Sequence, residues 1–214
     1  MNHGYSQSEE RLNIFSHLLG FGLSLIALVA MLISTAPLGL SYSVSAFIFG
    51  TSLAVLYAAS SLYHAQEDPV KRQKLRTFDH CSIFILIAGT YTPITLVTLP
   101  STIGWIIFGI VWGIAALGIT LKLFFTGRFK KTSTALYVLM GWIIIVVGKT
   151  LMENIAPVGF NWLLGGGIAY TIGAILYSIK RLPYNHAIFH CFVLAGSACH
   201  FVAIYNYVLI SPTS

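Results

Sequence analysis

The chain has 214 residues, 57% of them hydrophobic and only 8% charged, with a net charge of +6 at pH 7 and a mean hydropathy of +0.82. Soluble domains carry about 25% charged residues, and a water-exposed surface of this size needs far more polar cover than this chain owns. An ordinary soluble enzyme, a disordered chain and a nucleic-acid-binding module are thereby excluded, and a helical protein that crosses a membrane several times remains.

In chain order, residues 1–13 form a short polar N-terminal segment that contains Glu9, Glu10 and Arg11. It lacks the positive n-region of a signal peptide, and the apolar run behind it is too long for an h-region, so that run reads as a retained first span. Apolar runs of about 20 residues each predict seven spans, over roughly 14–36, 42–64, 79–99, 103–125, 133–152, 161–179 and 186–210. They make one transmembrane domain, 14–210, with a short tail, 211–214. The expected fold is therefore all-α, a polytopic seven-helix bundle, and the continuous rather than alternating runs exclude a membrane barrel. Pro37, Pro100, Pro157 and Pro183 fall between runs, as turn punctuation should. Gly89-Thr90-Tyr91-Thr92-Pro93 predicts a polar kink inside the third span. Gly109-x-x-x-Gly113 and Gly165-Gly166-Gly167 predict close helix approaches. Cys81, Cys191 and Cys199 are an odd number with no C-x-x-C and sit in or beside apolar stretches, against a disulfide framework.

The basic residues orient the chain. Arg11, Lys71, Arg72, Lys74, Arg76, Lys122, Arg128, Lys130, Lys131, Lys180 and Arg181 all fall on one side of a seven-span topology, and Lys149 alone falls toward the other. The positive-inside rule then places the N-terminus in the cytoplasm and the C-terminus outside. The +6 charge is mostly an orientation signal, with an added pull toward anionic headgroups.

Histidines and one aspartate gather at the same end. His17 lies near the inner end of span one, His64 at the inner end of span two, Asp79 and His80 at the start of span three, and His186 and His190 at the start of span seven. Ionisable groups in spans are expensive and face a bundle interior or cavity. His186 and His190 stand one helical turn apart on one face, the spacing used by helical metal ligands. No glutamate follows His186, so this is not the H-E-x-x-H motif. His64 supplies a third nitrogen, and three protein ligands with one open position is the catalytic zinc pattern; imidazole also suits iron and copper. Asp79 has two readings, a carboxylate favoured by the positive end of a helix or a general base beside a metal. His80 and Cys191 point away from these faces. His200 lies about 15 Å deeper at 1.5 Å per residue and reads as a buried, paired histidine.

Glu10-x-x-Asn13-x-x-x-His17, Ser60-x-x-x-His64, Phe78-Asp79-His80 leading to Ala88-Gly-Thr-Tyr-Thr-Pro93, and His186-x-x-x-His190 leading to Ser197 and His200-Phe201 occur in this order. Together they resemble the hemolysin III-type bacterial proteins of the progestin and adipoQ receptor family, part of a wider superfamily with the alkaline ceramidases. The resemblance implies a seven-helix fold in a bacterial cytoplasmic (inner) membrane with its N-terminus inside. It also implies a Zn2+ ion held by His64, His186 and His190, with Asp79 contacting the zinc-bound water and Ser60 helping to hold that water or an oxyanion. It assigns no role to Glu10, Asn13 and His17.

A zinc-dependent hydrolase of a lipid amide or ester, ceramidase-like and acting in membrane lipid homeostasis, is the leading expectation, with a membrane lipid or fatty-acyl substrate and no nucleic acid as partner. A non-enzymatic lipid sensor with structural zinc and an ion transporter are the alternatives. A cytolytic pore is disfavoured, because an integral seven-span chain is ill suited to attacking another cell.

Overall fold

A computed structural model describes residues 5–124 and 130–210, except the side chains of 130–132. Arg128, the side chains of Lys130 and Lys131, and the expected tail 211–214 lie outside the described residues. Every described element is helical, and seven helical stretches are long and apolar enough to cross a membrane: Gln7–Leu38, Leu40–Ala65, Pro69–Thr98, Ser101–Phe124, Ser133–Asn154, Pro157–Ser178 and Asn185–Leu209. The helices are α1 (Gln7–Thr35), α2 (Leu40–Ala65), α3 (Pro69–Pro93), α4 (Ser101–Phe124), α5 (Lys130–Gly141), α6 (Gly148–Asn154), α7 (Pro157–Ser178) and α8 (Asn185–Ile204).

Two helices begin well before their apolar runs, because capping rather than hydropathy starts them. Ser6 accepts a hydrogen bond from the Glu9 N–H at 3.2 Å, and Glu9 and Glu10 in the first turn suit the positive end of α1. Asp68 accepts from the Lys71 N–H at 2.8 Å, and Pro69 stands at the first helical position of α3. The basic stretch Lys71–Arg76 is therefore helical. Asp79 lies deep within α3 instead of at its first turn, which removes the helix-terminus reading of that carboxylate.

The bundle is inside-out relative to a soluble protein. Phe15, Ile26, Ile33, Trp105, Leu123 and Val146 are exposed, while Ser45, Ser52, Ser60, Thr35 and Thr92 are buried, as expected where lipid is the solvent. The spans of α2 and α3 are the most enclosed. One apolar core joins α1, α2, α3 and α8 through Met31, Phe49, Leu53, Leu86, Val193 and Ile204; a second joins α3, α4 and α5 through Phe84, Tyr91, Val111 and Met140.

Two irregularities shape the interior. At the predicted kink, α3 ends at Pro93 and continues as a wide turn over Ile94–Thr98, with Thr90, Thr92 and Thr95 donating to the carbonyls of Leu86, Ala88 and Tyr91 at 2.8–2.9 Å. Gly89 allows α2 to approach there, since a Cβ on it would collide with the Ser52 side chain. The fifth span is broken rather than continuous. The β-branched run Ile143–Val147 tightens into a 3-10 turn between α5 and α6. Tyr91 from α3 repairs the break: its Oη accepts from the Ile144 N–H at 2.9 Å and donates to the Gly141 carbonyl at 2.8 Å. Tyr91→Phe leaves both backbone groups unpaired in an apolar setting, and we expect a loss of about 1–3 kcal/mol, read as a lower unfolding midpoint in detergent. The small-residue reading needs correction at Gly109, Gly113 and Gly165, where an added Cβ would meet nothing within 4 Å. At Gly166 a close approach is present: the His200 ring is seated against it and would collide with any added Cβ.

Candidate metal centre

The N-terminal ends of α1 and α8, the C-terminal end of α2 and the N-terminal half of α3 meet at one end of the bundle. His64, at the end of α2, and His186 and His190, one turn apart on α8, are all buried there. One ligand nitrogen from each lies within 4.8 Å of the others, so the three can hold a metal ion. Their rings form a nearly equilateral group, with centroids 4.9 Å (His64–His186), 5.1 Å (His64–His190) and 4.6 Å (His186–His190) apart. Tyr184, just before α8 and after Pro183, has φ 55°. This left-handed turn is costly for a non-glycine residue and starts α8 so that His186 faces inward.

For two of the three rings the hydrogen-bond pattern sets which nitrogen is available. His64 Nδ1 lies 2.6 Å from the Glu10 Oε2. A carboxylate only accepts, so this Nδ1 carries the proton and the Nε2 lone pair of the neutral ring is left facing inward. His190 Nδ1 lies 3.3 Å from the Asn13 carbonyl, which imposes the same tautomer. His186 Nδ1 pairs with the Tyr5 hydroxyl at 2.9 Å. The outward nitrogens are thus all engaged, as metal-ligating imidazoles almost always are. The inward Nε2 atoms of His64 and His186 are 3.2 Å apart. That is close to the edge of a tetrahedron with arms of about 2.0–2.1 Å, the usual zinc–imidazole distance. The donor set and its spacing fit a metal ion.

Glu10 also pairs with Arg72, whose guanidinium donates to the Gln66 carbonyl at 3.0 Å and lies 4.8 Å from the centre of the Tyr63 ring. The N-terminal segment is strapped across the site. Tyr5 bonds His186, Ser8 Oγ lies 3.0 Å from the Tyr184 hydroxyl, and Glu9 Oε1 accepts from the His186 N–H at 3.2 Å. Burial and neighbouring Tyr177 and Tyr63 hold the Tyr5 phenol well above its ordinary pKa, so it stays protonated at neutral pH. Glu10→Gln keeps a neutral group in place but loses the charge that fixes His64. We expect metal affinity about 10–100-fold lower, measured by competition with a chromogenic chelator.

Asp79 is buried and does not join the three-histidine group. Its carboxylate faces the Ser60 hydroxyl, and Ser60 stands one helical turn before His64 on α2. His17 stacks on His190, with centroids 3.5 Å apart and planes at 7°. Both nitrogens of His17 and the Asn13 Oδ1 are buried without a partner, leaving polar atoms beside the cluster able to meet a small polar molecule. His80, Cys81 and Cys191 lie outside the group, and all three cysteines are free. His200 pairs separately, Nε2 to the Leu163 carbonyl at 3.1 Å. The residues that sequence reasoning did not assign are Tyr5, Glu10, Asn13 and Arg72. Glu10, Asn13 and His17, at i, i+3 and i+7 on an apolar helix, carry a readable signal as one polar stripe; Tyr5 carries none.

Fold and site together define an all-helical membrane protein with seven span-length helices and a buried three-histidine cluster able to bind metal. The chain matches the family described as Haemolysin-III related over residues 5–201, and it belongs to that family. It is 45% identical to hemolysin-3 of Bacillus cereus over 96% of this chain and 94% of the relative. It is 40% identical to a hemolysin-3 homolog of Bacillus subtilis (strain 168), over 97% and 98%. The human monocyte to macrophage differentiation factor is 31% identical over 79% of this chain and 73% of its own length. No solved structure matches the chain significantly.

Proposed function

We propose that the chain is a zinc-dependent hydrolase of a lipid amide or ester, seated as one seven-helix domain in the bacterial inner membrane with its N-terminus in the cytoplasm. The observation that carries the reading is the buried trio His64, His186 and His190, with the His64 and His190 tautomers set by Glu10 and the Asn13 carbonyl, standing beside the buried Asp79 and Ser60. The three histidines would hold the ion, which when bound supplies Lewis-acid polarisation and a water acidic enough to attack near neutral pH. Asp79 accepts the proton of the attacking water at its carboxylate and returns it to the leaving amine or alkoxide. Ser60 orients that carboxylate and turns its hydroxyl toward the developing oxyanion as the proton moves. Glu10, Asn13 and Tyr5 hold the imidazoles in register.

The orientation rests on the basic residues at the histidine end, Arg11, Lys71 to Arg76, Lys180 and Arg181. The depth of the cluster, at the ends of its helices, suits a bond near the headgroup layer of a fatty-acyl lipid. Convergence of polar groups inside the bundle gives no support to the cytolysis that the bacterial relatives' names suggest. The test is release of free fatty acid from a panel of acyl lipids, N-acyl and O-acyl, by purified protein in detergent. Turnover abolished by chelation and restored by zinc is the expected result; no release from any member of the panel overturns the reading.

A further inference from the structure

A cavity of about 440 Å3 opens at the histidine end of the bundle, walled by Tyr5, Glu9, Tyr63, Arg76, Lys180 and Asn185. Its wall carries two cations, Arg76 and Lys180, and one carboxylate, Glu9. Arg76 forms no ion pair among the described residues, and its Nε is buried without a hydrogen-bond partner. Arg72, one turn earlier on α3, differs in every respect: it is neutralised by Glu10 and donates to backbone carbonyls. Of the carboxylates near Arg76, Glu9 has its Oε1 on the His186 N–H, and Asp79 has Ser60. Lys180 adds a second cation to the wall, its ammonium 4.1 Å from the centre of the Tyr177 ring. A partly buried guanidinium with no ion-pair partner is costly, and its fork of donors matches an oxyanion.

The cavity shares its floor with the metal centre. Tyr5 lines it and bonds His186 Nδ1, Glu9 lines it and bonds the His186 N–H, and Asn185 adjoins His186 in the chain. We propose that this cavity binds the anionic oxyanion end, phosphate or carboxylate, of an amphiphile, with Arg76 as the anchoring cation, and so sets the amphiphile's polar end one side-chain layer from the histidines. The assignment of that amphiphile as the molecule hydrolysed rests on the hydrolase reading; the binding itself does not.

The test measures binding rather than turnover. Purified full-length protein in an uncharged detergent is titrated with inorganic phosphate, dihexanoyl phosphatidate, decanoate and neutral decanamide, with unfolding temperature and calorimetry as readouts. Saturable binding of phosphatidate or decanoate, absent for decanamide, is expected. Arg76→Gln should weaken that binding about tenfold or more through loss of charge-assisted hydrogen bonds, with metal content unchanged, and Arg76→Lys should recover part of it. Phosphate binding as tight as phosphatidate identifies a free small anion as the ligand and overturns the amphiphile. Equal binding of decanamide and decanoate to the unmodified chain, no binding of any probe, or unchanged affinity in Arg76→Gln overturns the site. Hydrolysis of anionic lipids undiminished in Arg76→Gln, with no probe bound by the unmodified chain, sinks this proposal and leaves the hydrolase reading standing; anion binding without turnover does the reverse.

Discussion

His186→Ala and, separately, His190→Ala should purify as folded membrane proteins that carry background metal, where the unmodified chain carries about one ion per molecule, as a three-ligand zinc site would. Either change leaves two imidazoles, too few to hold an ion against competing buffer ligands. It also opens a void the size of a ring in an enclosed region, because His186 and His190 are both buried and His190 stacks on His17. Part of any stability loss is therefore packing, and metal content measured on monodisperse protein is the readout that separates ligation from packing. A His190→Phe variant sharpens the comparison, since it fills the void without a ligand nitrogen. The expected order is metal lost in both His190 variants, with the unfolding temperature lower in His190→Ala. Metal retained at about one ion per chain in the Phe variant would remove His190 from the ligand set. His17→Phe is the matched control, because it lies against His190 yet outside the three-histidine group, and it should keep its ion.

The seven spans were legible because crossing a bilayer is a length-and-hydropathy requirement written directly into the chain. Their starts were less so. Ser6 and Asp68 begin α1 and α3 inside polar sequence, and a hydropathy window does not register a cap. The break in the fifth span was hidden for a different reason: its backbone groups are satisfied by Tyr91, some fifty positions earlier in the chain. The same distinction divides the site. His186 and His190 are one turn apart on a single helix, so their pairing can be read locally, and His64 joins them through topology alone. The groups that orient these rings come from far away in sequence, Glu10 to His64 across 54 positions and Tyr5 to His186 across 181. The polar stripe Glu10, Asn13 and His17 marked the face that matters on α1, but only the packing of α1 against α2 and α8 tells which imidazole each residue serves.

Asp79→Asn should lower kcat for lipid hydrolysis by about 10²–10⁴-fold, the range of a lost general base, while leaving the metal content at its unmodified level. The substitution is nearly isosteric, and an asparagine carbonyl oxygen can still accept the Ser60 hydroxyl, so the buried pairing between α2 and α3 survives. What disappears is a group able to take a proton. The metal cluster should be indifferent, because Asp79 stands outside it and none of the three imidazoles has it as a hydrogen-bond partner. This separation of rate from metal content distinguishes a base from a ligand: a ligand variant loses both together, as the histidine variants do. Ser60→Ala provides the intermediate case. It removes the donor that orients Asp79 but not the carboxylate itself, so the expected loss is smaller than for Asp79→Asn, and in the double variant the two losses should combine to less than their product, because both act through one proton acceptor. Turnover in Asp79→Asn equal to that of the unmodified chain, with metal bound, would assign Asp79 to packing and move the proton to His17, whose unpartnered nitrogens lie on the other side of the cluster beside His190.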